Sequence, residues 1–205
     1  ITIMIILLGI SSTIGYSKVL TKTIIILIMA LLGALSSVKL LMFELILLVS
    51  FHIGSVSIEV GVIAFLILFI IYLLFVRLYP KESLFIIGLL IAYKFHIPYV
   101  VPLIAGLFGS ISAVVSLIIG TMIWYSVPQL IVMMQVKMED LAGVLEALNA
   151  NILAIQEIFK TDQKMMSTIL ILSIVFLTIY FIRKQSIDYA AYIAILVGSI
   201  MNIIG

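Results

Sequence analysis

"KESLFIIGLLIAYKFHIPYVVPLIAGLFG", residues 81–109, decides how this chain is built. It is an apolar run with Lys94, His96, Pro98 and Pro102 set in its middle. A helix rises about 1.5 Å per residue, so crossing some 30 Å of hydrocarbon takes roughly 20 residues. Ser83–Tyr93 and Val100–Gly109 each reach only about 15–17 Å at that rise. Neither arm crosses a bilayer alone. Pro98 and Pro102 each remove a backbone donor. Two builds satisfy this: a re-entrant hairpin turning at "KFHIPY", or one long helix kinked at the prolines. Non-helical backbone facing lipid is forbidden, so a hairpin tip must be wrapped by protein or line a wet cavity. The hairpin over 83–109 is the favoured expectation.

Working outward, the composition agrees with a membrane setting. The chain of 205 residues is 65% hydrophobic and 10% charged. A soluble domain carries about 25% charged residues. The class expected is all-α: a polytopic transmembrane helix bundle, a single integral membrane domain over 1–205. A membrane β-barrel is excluded because the apolar runs are long and continuous rather than alternating. Net charge is +2 with scattered basic residues, which gives nucleic acid no surface. There is no cysteine, so thiol catalysis, disulfides and thiolate metal sites are excluded. Two histidines make no metal site alone. Neither a cofactor nor a metal is expected. The chain opens on Ile1 and ends in an apolar run, which reads as a fragment cut at both ends.

The same ruler applies to the other runs. Residues 1–16 read as a truncated span, 23–36 and 40–53 as short spans, and 57–77, "SIEVGVIAFLILFIIYLLFVR", as the clearest full one. Residues 110–126, 165–182 and 187–204 read as further spans. Ser112, Ser116 and Gly120 recur every fourth position, as do Ala190, Ala194, Gly198 and Asn202. Both stripes present a small face suited to close helix packing. Trp124 and Tyr125 are expected as interfacial anchors.

Residues 128–164 differ. Pro128 opens the segment, and Met134, Met138, Leu141, Leu145, Leu148, Ile152, Ile155 and Phe159 then follow in 4-3 alternation. That is a heptad seam. The reading is an amphipathic extramembrane helix over about 130–160, inserted between spans. The seam at 134–159 offers docking to a partner membrane protein or a second copy of the chain; the lipid bilayer is the other expected partner. Counting Lys and Arg on short loops places Arg77, Lys81, Arg183 and Lys184 on the cytoplasmic side if 83–109 doubles back, with 127–164 opposite.

Ionisable groups inside a membrane are functional hypotheses by default. Lys94 and His96 at the turn suit a polar site: an ammonium attracts an anion, and an imidazole exchanges protons near neutral pH. Pro98 and Pro102 free carbonyls for a substrate or ion. The plainer alternative puts the turn at the far interface, with Lys94 snorkelling and His96 in water. His52 and Glu59 flank "IGSVS" and form a second candidate site, against an ordinary loop with Glu59 suiting the helix dipole. Phe51-His52-Ile53 and Phe95-His96-Ile97 match as triplets, a hint of an internal repeat. Glu44 lies inside the 40–53 run with no partner legible, and Asn202 suits an interhelical hydrogen bond.

No G-x-S-x-G, H-E-x-x-H or Walker loop is present, so no enzyme is expected. The function expected is a permease or transporter component for a small solute or ion, its site where "YKFHIPYVVP" meets "FHIGSVS". The alternative is a membrane scaffold acting through 134–159. At "HIPYVVPLIAGLFG" and "RKQSIDYAAYIAILVGSIMNII" the chain resembles a group of uncharacterised multi-pass membrane proteins of Gram-positive anaerobes, over most of 40–204. That resemblance implies a multi-pass protein of a cell membrane, a bacterial cytoplasmic one, and carries no activity and no site residue.

Overall fold

The structure is a computed structural model that describes residues 22–55, 58–133, 163–185 and 188–204. The opening run 1–16 and the heptad seam 134–159 lie outside the described residues. Among the described residues the fold is all-helical, with eight α-helices and no strand. They are α1 Thr23–Leu35, α2 Val38–Gly54, α3 Ile58–Ile71, α4 Pro80–Lys94, α5 Val100–Phe108, α6 Ala113–Met133, α7 Gln163–Arg183 and α8 Ala190–Ile204. A π-helical turn, Tyr72–Val76, continues α3 and ends with the Arg77 amide bonded five residues back to the Tyr72 carbonyl, 2.9 Å. One described helix, α7, is long and apolar enough to cross a membrane by length and composition. Shorter apolar helical stretches run Val60–Val76, Ala113–Ser126 and Ala190–Asn202. The run 57–77 is helical over 58–76 with a π turn at its end, and its apolar stretch Val60–Val76 falls just short of the length that α7 reaches.

The chain divides into two compact units. The first contains α1, α2 and α3. Ser36 and Ser37 adopt extended backbone between α1 and α2. The Ser36 hydroxyl donates to the Leu32 carbonyl at 2.8 Å and lies 3.3 Å from Glu44 Oε1. Glu44 thus has a hydroxyl partner that the sequence did not identify. Helices α2 and α3 form a hairpin whose tightest point is glycine on glycine. A Cβ built on Gly61 would stand 2.5 Å from the Gly54 Cα and 2.7 Å from its nitrogen. Only backbones without side chains approach so closely. Above that contact Ile53, Val60 and Ala64 bury one another, and Phe43 packs against Phe69 and Tyr72 at 6.3 and 5.6 Å between ring centroids.

The second unit contains α5, α7, α8 and most of α4 and α6. Pro80 opens α4, where its missing N–H has no helical role. Pro102 stands in the first turn of α5 for the same reason. The core is built by Leu89 of α4, Ala105 of α5, Leu117 of α6, and Leu172 and Phe176 of α7, all essentially inaccessible. Both small-residue stripes face inward. Ser116 is fully buried and donates to the Glu82 carbonyl at 2.7 Å, and a Cβ on Gly120 would lie 3.0 Å from Leu89. Ala190 and Ala194 are buried on α8. Ile179 of α7 is inserted between two glycines: a Cβ on Gly106 would meet it at 2.7 Å and one on Gly198 at 2.5 Å. The outward faces stay apolar, with Leu170 and Phe181 on α7 and Tyr192 and Leu196 on α8 more than half exposed.

One expectation about α6 is corrected: the helix does not end before Pro128 but runs through it to Met133. Trp124 and Tyr125, expected as interfacial anchors, are half-buried and packed within the unit. Trp124 stacks on Tyr93 at 5.1 Å and 7°, and the Tyr125 hydroxyl meets Thr168 at 3.2 Å.

Candidate functional site: the tip of the α4–α5 hairpin

The stretch 80–108 is two helices, and they double back. At the base, the Ser110 hydroxyl just beyond α5 donates to Glu82 Oε1 in the first turn of α4, 2.6 Å. Residues that begin and end the excursion are thus bonded across a separation of 28 positions. A kinked rod spanning 83–109 would hold them at opposite ends. Arg183, the last residue of α7, secures the same base. Its guanidinium donates to the Leu107 carbonyl and, at 3.2 Å, to the Gly109 carbonyl, while lying 5.3 Å over the Tyr180 ring. These are carbonyls at the C-terminal end of α5, which have no helical donor and favour a cation.

The tip is formed by Lys94 through Tyr99, and its backbone follows from the sequence. His96 takes φ 59°, the left-handed region. Its amide donates to the Tyr93 carbonyl at 3.0 Å, and the Ile97 amide reaches back to the Ala92 carbonyl at 2.8 Å. This pair of bonds is a Schellman ending, with His96 in the place that glycine usually takes and Pro98 following to prevent further helix. The free carbonyls expected of the turn are thus partly used by the cap itself. A non-glycine residue in this conformation costs about 1–2 kcal/mol. The prediction is that His96→Gly raises the stability of the reconstituted or detergent-solubilised protein by about 1 kcal/mol. Thermal melting of the two proteins checks it, and an equal or lower melting point contradicts the strain.

Lys94 and His96 are exposed at the tip, together with Phe95 and Ile97, which are 65% and 52% accessible. Pro98 is half-buried and Pro102 fully buried. Asn202 ties the tip down from α8, its Nδ2 donating to the Tyr99 carbonyl at 3.1 Å. Tyr93 stands beside Thr121, whose own hydroxyl donates to the Leu117 carbonyl at 2.8 Å. Tyr93 Oη, Ser173 Oγ and Asn202 Oδ1 are buried without a well-formed hydrogen bond. Unsatisfied polar atoms inside an apolar bundle are rare and call for an explanation.

Between α4 and α5 lies an apolar cleft of about 370 Å³. Leu84, Gly88 and Ile91 line it from α4, Val101 and Ile104 from α5, and Phe95 closes it near the tip. Gly88 borders this open space: a Cβ built on it would meet nothing within 4 Å.

The other candidates fall in the first unit. His52 is wholly inaccessible in the last turn of α2, and the Ser55 hydroxyl donates to its carbonyl at 2.7 Å. Glu59 is the second residue of α3. Among the described residues no group of three or more His, Cys, Asp or Glu side chains is placed to hold a metal ion. Sequence reasoning assigned no local role to Arg183 or Gly106, and Gly88 gave no signal at all. In comparison with known proteins, no family model, no curated protein and no solved structure matches the chain.

Proposed function

We propose that this is a multi-pass integral membrane protein in which the α4–α5 hairpin is re-entrant and its tip binds the solute of a transport component. The membrane setting is supported by the outward faces of α7 and α8. Large apolar residues there are exposed in numbers that a soluble protein rarely leaves bare. Depth follows from length. Arg183 ties one end of α7 to the base of the hairpin. From there α7 extends about 30 Å at helical rise, whereas Glu82 to Lys94 covers only about 18 Å. With α7 spanning the bilayer, the tip comes to rest inside the hydrocarbon, about two-thirds of the way across.

The observation that carries the functional reading is His96. His96 accepts left-handed strain where glycine would relieve it, on an exposed tip beside Lys94, and such strain points to a functional role. The ammonium of Lys94 favours a negatively charged small solute, and its charge at that depth is costly without a counter-ion. Transport is the matching activity, because a polar turn held part-way across the membrane needs access from a wet side.

The test is solute uptake by reconstituted wild type, Lys94→Ala and His96→Ala with small anions as the panel. Loss of uptake in Lys94→Ala of about tenfold or more is expected. Full retention by both variants overturns the tip as the site.

A further inference from the structure

We infer that the solute taken at this tip is an anionic amphiphile: a single-chain carboxylate whose head lies at Lys94 and His96 and whose alkyl tail fills the cleft between α4 and α5. The inference rests on the reading of the tip as the binding site and adds the class of substrate.

Three observations combine. The cleft is lined by apolar side chains throughout, so it offers nothing to a sugar, an amino acid or a bare ion. It ends at the tip: Phe95 and Ile97 line it, and Lys94 and His96 are their immediate neighbours in the chain. The Schellman turn makes this adjacency, because the bond from the Ile97 amide to the Ala92 carbonyl folds Ile97 back over the cleft. A cation at one end of an apolar slot is complementary to one molecular shape, a charged head on a hydrocarbon tail.

The cleft, about 370 Å³ between helices of 15 and 9 residues, is at the small end of ligand sites, a size that suits one alkyl chain of medium length. Selection over bulk lipid comes from the head, since alkyl chains gain little by leaving one apolar medium for another. A carboxylate at Lys94 supplies the counter-ion that the ammonium would otherwise lack at that depth.

The experiment uses the full chain in zwitterionic nanodiscs and a dodecanoate bearing a terminal diazirine, with adducts located by mass spectrometry. Adducts on residues 84–104 are expected, reduced about tenfold or more in Gly88→Leu, and reduced as far when the alcohol of equal length replaces the carboxylate. Gly88→Leu is a safe variant because open space receives its side chain. Adducts spread over the outer faces of α7 and α8, unchanged by Gly88→Leu, would mean bulk lipid contact only and overturn the inference. Displacement by excess phosphatidylglycerol but not by unlabelled dodecanoate would also overturn it, by making the occupant a two-chain lipid. Short-anion uptake separates the two claims. If it depends on Lys94 while the cleft goes unlabelled, this inference alone fails; if neither tip variant affects it, the tip reading fails.

Discussion

Gly61→Val is expected to break the α2–α3 hairpin, at a cost of more than about 3 kcal/mol. The new Cβ would stand 2.5 Å from the Gly54 Cα and 3.2 Å from the Ser50 carbonyl oxygen. Both are backbone atoms, so no rotamer change relieves the overlap. The helices must part, and the buried contacts among Ile53, Val60 and Ala64 part with them. Valine adds two further carbons to the clash. Unfolding in detergent with increasing denaturant measures the loss. Gly88→Ala is the matched control, since it adds a methyl to open space and gains helix propensity, for a stabilisation of up to about 1 kcal/mol. Similar unfolding curves for Gly61→Val and wild type would show that the helices do not meet at backbone distance.

The second large effect is expected at Arg183. Arg183→Met keeps an apolar stem of similar reach to the arginine methylenes and removes the donors to Leu107 and Gly109. Half-buried carbonyls left without a partner cost about 1–3 kcal/mol each, so about 3 kcal/mol is expected in total. Arg183→Lys recovers part of this at most, because a single ammonium does not reproduce a planar fork that serves two acceptors. The informative readout is local. Amide exchange at 105–110 should quicken in Arg183→Met, while exchange in the α2–α3 hairpin stays as it was. Unchanged exchange at 105–110 would remove Arg183 from its place at the base.

Much of the helical layout was legible because its signals are local. Pro98 and the short arms on either side announce a break from neighbours alone, and the observed gap between α4 and α5 falls there. The recurrence of small residues every fourth position on α6 and α8 needs only helical period. The contacts that hold the hairpin shut were not legible. Arg183 bonds residues more than seventy positions away, and in the sequence it looks like one more basic residue after an apolar run. Gly106 belongs to no stripe; its meaning comes from Ile179 on another helix. His96 was read for its chemistry, whereas its backbone conformation depends on how α4 ends. The partners of Trp124 and Tyr125 were hidden for a related reason: Tyr93 on α4 and Thr168 on α7 are remote in sequence. The π turn at Tyr72 was not legible either, since composition does not distinguish it from an α turn.

The insertion of Ile179 has a mechanical consequence. One side chain sits in the notches of both Gly106 and Gly198, so α5 and α8 are keyed to α7 as gears are to a common pinion. Sliding either past α7 by a fraction of a turn would drive a β-carbon or a methyl into backbone. Any sliding of one of these three helices along another must therefore carry all three as one piece.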